Sequence, residues 1–247
     1  MELNGNLALF EKNEILILDI ERKTLPFKTA KDFKIKTCDT WERFVKQINA
    51  LKNPSGIKDE KLVKEYSDYK IVVIDSFSRL CYLLHKSIVS RGITGFTIWN
   101  EFKKNLQWLL LEARVENKIL VYLAHDTVQS DAENIDRKVI RVDGQLKGDV
   151  EGYFSTILYS YFDRAKQEAS ERYRFATNTD GIQNAKSPDG MFAERSIPND
   201  LSLVIGSIYN FYGKTITDDF QIDPICIYGK SSTGKSTSIR TLLKQTK

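Results

Sequence analysis

Near the C-terminal end of the chain, Ile225-Cys226-Ile227-Tyr228 runs directly into Gly229-Lys230-Ser231-Ser232-Thr233-Gly234-Lys235-Ser236-Thr237. The pattern G-x-x-x-x-G-K-S carries a definite chemistry. Gly229 and Gly234 let the backbone turn tightly, so successive N–H groups can face phosphate oxygens. Lys235 would reach the outer phosphates, and the Ser236 hydroxyl would ligate Mg²⁺. The segment Ser238-Ile239-Arg240-Thr241-Leu242-Leu243 reads as a helix whose N-terminus, near Lys235, adds positive potential. Strand, glycine loop and helix together predict a site for a nucleoside triphosphate with Mg²⁺. The competing reading, a Gly/Ser-rich linker before a tail helix, leaves the apolar run in front of the loop unexplained.

Only ten residues follow Thr237, so the groups that must complete such a site lie upstream or in a second domain. Three strand ends offer them. Residues 15–20 form an aliphatic run broken by one acid and followed by Glu21, and residues 71–74 (Ile-Val-Val-Ile) are followed by Asp75. Residues 118–124 are followed by His125. Continuous apolar runs of this length predict strands buried on both faces. A polar residue at the C-terminal end of such a strand lies on the edge where α/β proteins bind ligands. Asp75 fits a carboxylate that holds Mg²⁺ through water. His125 fits a polar group that senses the terminal phosphate. Taken singly, each has a plainer reading: a solvated strand end for Glu21, a turn acid for Asp75, a structural histidine for His125.

The remaining elements are those needed to position these groups. Helical spacing of apolar residues predicts helices over 41–51, 58–67, 77–90, 96–114 and 201–212. Residues 152–161 and 171–178 read as a pair of strands, and 179–192 as a turn-rich segment holding Lys186. The stretch 22–36 is basic, with Phe27 and Phe33 interleaved, and reads as a solvated loop. The stretch 126–150 shows no clear element. Arg91, in a loop at 91–95, and Arg137, Lys138, Arg141 and Lys147 are the candidates for contact with nucleic-acid phosphates.

The 247 residues suit one sizeable α/β domain, and no repeat or composition break divides them. The expectation is a single domain over 1–247, with 225–247 supplying the glycine loop and 1–224 the rest. A net charge of +4 permits a nucleic-acid partner without demanding one. Cys38, Cys81 and Cys226 are odd in number and never spaced C-x-x-C, which argues against a disulfide framework or zinc and for a reducing cytoplasm. No apolar run approaches the roughly 18 residues of a membrane span. No acceptor pocket or lid motif of a small-molecule kinase is legible.

With these residues in view, the chain resembles the RecA-like ATPases of bacteriophages, in particular the Sak-type single-strand annealing and recombination proteins. The resemblance rests on I-V-V-I-D-S at 71–76, G-F-x-x-W-N-E at 95–101, L-V-Y-L-A-H-D at 120–126, E-G-Y-F-S at 151–155 and T-D-G-x-x-x-A-K-S-P-D-G-M-F at 179–192. In that family the glycine loop comes first, followed by a strand like residues 14–21. Joining Lys247 to Met1 restores that order, so the chain looks circularly permuted, with a fragment of a tandem array as the alternative. The resemblance implies a RecA-like fold, a mainly parallel sheet flanked by helices, and ATP and Mg²⁺ as ligands. It implies Glu21 as the carboxylate that orients water, Asp75 and Ser236 at the metal, His125 as sensor, and Lys186 reaching a neighbouring subunit's γ-phosphate. It also implies a ring or filament of identical subunits on single-stranded DNA in recombination or annealing, in the bacterial cytoplasm, with a single-strand binding protein as a further partner. The alternatives are a helicase or loader ATPase on another substrate, and a nucleotide-dependent scaffold that does not hydrolyse. In sheet terms, the strand at 225–228 is expected between 119–124 and 153–161, with 71–75 and 15–20 beyond 119–124.

Overall fold

Ile15-Leu16-Ile17-Leu18 and Ile71-Val72-Val73-Ile74 are wholly buried, and such runs fit only a sheet covered on both sides. The computed structural model, which describes residues 9–130, 133–142, 150–168, 171–218 and 220–243, builds its centre from them. In chain order the first elements are β1 (Ile15–Asp19), β2 (Lys34–Thr37), α1 (Trp41–Lys52), α2 (Glu60–Asp68) and β3 (Ile71–Asp75). Then come α3 (Phe77–Ser90), α4 (Phe96–Gln107), β4 (Ile119–Ser130), β5 (Asp136–Ile140) and β6 (Thr156–Phe162). The chain closes with β7 (Tyr173–Ala176), β8 (Ser196–Pro198), α5 (Leu201–Phe211) and β9 (Ile225–Gly229).

The strand order is β2-β1-β3-β4-β9-β6-β7-β8, with β5 paired to β4 outside this path. Strands β2, β1, β3, β4, β9 and β6 run parallel, and β7 and β8 add antiparallel pairs at one edge. The last strand in sequence therefore sits between β4 and β6, as expected from the sequence. The protein is a mixed α/β structure with a mostly parallel central sheet flanked by helices.

The pleat sorts the strand residues between two faces. Leu16, Leu18, Val72, Ile74, Leu120, Tyr122 and Tyr228 pack with Phe44, Ile48, Leu80, Leu84, Phe102 and Leu106 of α1, α3 and α4. Ile15, Ile17, Ile71, Val73, Val121, Leu123, Ile225 and Ile227 pack on the other face with Leu201, Val204, Ile205 and Ile208 of α5 and with Ile239 and Leu242. Helix starts follow their caps: Thr40, Asp59, Ser76 and Asp200 each accept a backbone N–H from the first turn. Cys38, Cys81 and Cys226 are buried free thiols. Among the described residues, no helix is long and apolar enough to cross a membrane.

Several expectations are corrected. The segment after the glycine loop is a 3-10 helix, Ser236–Leu242, too short and tight to supply a full helix dipole. The basic stretch 22–36 is not all loop, because β2 pairs along β1 from Lys34. Its register follows β1 even though its side chains are mostly exposed, so no hydrophobic pattern announced it. The stretch 126–150 is not featureless: β4 runs on past His125 to Ser130 and folds back as β5. The helix over 96–114 is α-helical only to Gln107 and continues as a π turn, Trp108–Glu112. The strand at 152–161 begins only at Thr156, after a 3-10 turn at Val150–Tyr153.

Candidate active site

The register fixes which side chains meet. Asp19 lies opposite Asp75, and His125 opposite Gly229, at the C-terminal edge of neighbouring strands. Glu21 follows β1 by two residues, and its backbone and that of Ile20 donate to the Asp75 carbonyl. The ends of β1, β3 and β9, with His125 in the middle of β4, thus bring Glu21, Asp75, His125 and the glycine loop to one edge, as parallel sheets do for their ligands.

The loop leaves β9 at Gly229, where a Cβ would stand 2.3 Å from the Ser160 carbonyl oxygen. Only glycine fits there. Gly234 adopts φ +90°, and a Cβ added there would stand 3.0 Å from the Tyr173 ring and 3.1 Å from Asn199 Nδ2. Thr233 braces the loop: its hydroxyl donates to the Lys230 carbonyl, and its carbonyl accepts from Ser160 Oγ at 2.7 Å. Lys235 is only 7% exposed, and its Nζ donates to the Gly229 and Lys230 carbonyls at 2.7 and 2.9 Å. Burial pushes its pKa down.

Ser236 Oγ donates to Asp75 Oδ2 at 2.7 Å. Burial raises the Asp75 pKa, because the ionised carboxylate has lost its water. A hydroxyl and a carboxylate placed together form a hard-oxygen pair of the kind Mg²⁺ takes when phosphates and water fill its other positions. The residues present therefore fit that ion.

Glu21 holds three partners. Oε1 accepts from Ser76 Oγ at 2.7 Å and lies 2.6 Å from His125 Nε2, and Oε2 pairs with Lys23. The His125 bond, ahead of opposing burial, holds the Glu21 carboxyl well below the usual carboxylate range. His125 is itself tied in by its backbone: its N–H donates to Ser78 Oγ at 3.0 Å, and its carbonyl accepts from the Arg141 N–H at 2.8 Å.

Around these groups is a cleft of about 470 Å³ lined by Glu21, Asp75, His125, Ser231, Ser232 and Gly234 to Thr237, with Leu25, Pro26 and Tyr173 as its apolar wall. No family model, curated protein or solved structure matches the chain. The assignment of the cleft therefore rests on its own geometry and on the sequence motif.

Of the residues singled out from sequence, Glu21, Asp75, His125, Ser231, Ser232, Gly234, Lys235, Ser236 and Thr237 converge on this cleft. Gly229, Lys230 and Thr233 frame it from the loop. Lys186 does not line the cleft of its own chain. Its backbone pairs with Ile157, and Ile157 pairs in turn with Cys226, three residues short of the loop. Arg91 caps the far end of α3 and is exposed. Arg137 and Lys138 lie on β5, and Lys138 Nζ sits 5.2 Å from the Tyr159 ring. Arg141 follows β5 beside His125, and Lys147 lies outside the described residues. Asp19, Lys23, Ser76 and Tyr173 were not foreseen in the cleft or on Glu21. Asp19 and Ser76 each adjoin a foreseen strand-end acid, so their position was the available signal. Nothing in the sequence tied Tyr173 to the loop.

Proposed function

We propose that this chain is a Mg²⁺-dependent ATPase of the RecA-like kind, circularly permuted, that works on single-stranded DNA. The observation that carries the nucleotide reading is the contact between Ser236 and Asp75. Residues 161 positions apart meet at 2.7 Å, so the glycine loop has its strand-end carboxylate within the same chain. The permutation is supported at the chain ends, where Phe10 N–H donates to the Leu242 carbonyl at 2.8 Å and Phe10 pairs in parallel with Leu243.

In this reading the loop N–H groups and Lys235 hold the phosphates, and Leu25, Pro26 and Tyr173 offer apolar surface beside them. Ser236 and Asp75 hold Mg²⁺, which when bound offsets charge on the phosphate oxygens. Glu21 accepts a proton from the attacking water, once a partner has left its carboxylate. His125 joins Glu21 to the β4–β5 hairpin, so a change at the nucleotide reaches that hairpin through one side chain and one backbone pair. Lys186 serves a neighbouring subunit in a ring or filament.

Steady-state phosphate release with and without oligodeoxynucleotide is the test. Lys235→Ala should abolish turnover, and an unchanged rate would overturn the nucleotide site. Glu21→Gln should bind ATP but release no phosphate; normal hydrolysis would move the base elsewhere. The occupied state of Glu21 favours one second reading, a nucleotide-dependent scaffold, which predicts ATP binding with no turnover even when single strands are present.

A further inference from the structure

A second cleft, of about 400 Å³, shares Glu21, Lys23 and His125 with the first. Its own walls are Ser78, Arg79, Tyr82 and Arg141. Three cations, Lys23, Arg79 and Arg141, thus face one carboxylate. Neither Arg79 nor Arg141 forms an ion pair among the described residues. The Arg79 guanidinium lies 4.4 Å from the Tyr82 ring centre, and Tyr82 is 43% exposed. Arg79 and Tyr82 are three apart on α3, which puts them on one helix face.

Excess positive charge beside a half-exposed aromatic ring suits a chemically specific ligand: a phosphodiester with an unpaired base. Phosphates need cations, and a base can stack on tyrosine only when it is not held in a duplex. The backbone around the cleft ties it to hydrolysis. Ser78 accepts from the His125 N–H, Arg141 donates to the His125 carbonyl, and the His125 ring meets Glu21.

We propose that this second cleft binds one or two nucleotides of a single strand, with phosphate between Arg79, Arg141 and Lys23 and a base on Tyr82. The proposal rests on the single-stranded DNA reading above and gives it residues. Strand binding also acts on the base of the reaction. The Lys23 side chain is 72% exposed and paired with Glu21. A phosphate entering the cleft competes with Glu21 for that ammonium and draws it from the carboxylate.

The test is fluorescence anisotropy with a labelled oligodeoxythymidylate, at several salt concentrations. Tyr82→Ala should weaken binding about tenfold and Tyr82→Phe should not, since stacking needs only the ring. Arg79→Ala should weaken binding and lower the salt slope by about one. Equal affinity for all three variants and the wild type would overturn this cleft while leaving the DNA reading intact. No strand binding by the wild type would instead overturn the DNA reading itself. A duplex of equal length bound as tightly as the single strand, or displacement by equimolar thymidine monophosphate, would also overturn the assignment.

Discussion

Asp75 and Glu21 are both carboxylates at strand ends, yet their surroundings push them in opposite directions. Asp75 is desolvated and its pKa is raised, so at neutral pH its ionised form costs stability in the metal-free protein. Asp75→Asn keeps an acceptor for Ser236 without the charge. The expected outcome is a higher melting temperature without Mg²⁺, by roughly 2–4 °C for each kcal/mol relieved, together with lost turnover. A melting temperature at or below that of the wild type would contradict the burial argument. Glu21 is the reverse case. Its folded pKa lies below its ordinary value of 4.5, chiefly through His125. A depressed acid contributes stability that is complete above 4.5 and fades only as pH falls toward the lowered value. Melts of the wild type and Glu21→Gln should therefore differ most above about pH 5, with the gap narrowing steadily as pH falls below 4.5. A gap that stays constant with pH would mean that the Glu21 charge contributes nothing. Which strand ends carry acids was legible in the sequence. The bonds of Glu21 to Ser76 and Lys23 were not, since they depend on side-chain reach rather than on pattern.

At the scale of elements, what the sequence expressed as hydrophobic continuity is what it foretold. β1, β3, β9 and the first half of β4 are apolar runs followed by polar residues, and the residues that follow those runs line the cleft. β2 and β5 escaped notice because they are exposed or half-exposed and owe their conformation to the neighbouring strand. The glycine loop adds a constraint that the motif states and the structure explains. Gly229 is required by the closeness of β6, where a Cβ would meet the Ser160 carbonyl at 2.3 Å. Gly92 shares a left-handed backbone, φ +78°, but an added Cβ there meets nothing within 4 Å. Gly92→Ala should cost only the conformational strain of about 1–2 kcal/mol. Gly229→Ala must in addition move backbone in two adjacent strands and should cost clearly more by denaturant titration. Equal losses would show that the β6 contact places no limit on the loop.

At the scale of the whole molecule, the order of strands in space and their order along the chain separate. β9 is the last strand in sequence yet fills the middle of the sheet, and near the two ends of the described chain Phe10 pairs with Leu243. The fold needs β9 between β4 and β6; nothing in the packing requires β9 to be reached last. The sequence made this legible through the glycine loop alone, because a site of that kind needs carboxylates and all of them lay upstream. Rearranging the chain tests whether connectivity matters. New ends would be opened between Lys214 and Thr215, in the exposed connection after α5, and Lys247 joined to Met1. The opening leaves the Lys214 N–H bond to the Tyr209 carbonyl and the turn from Thr215 to Asp218 in place. Buried strands stay intact under such a change, so the rearranged chain should fold with a similar melting temperature and retain phosphate release. Its β9 would then lead the sequence, with the loop followed by β1. Loss of the folded state in that chain, with the parent folded under the same conditions, would mean that the present ends are a requirement of the fold rather than one of several places where the chain can be opened.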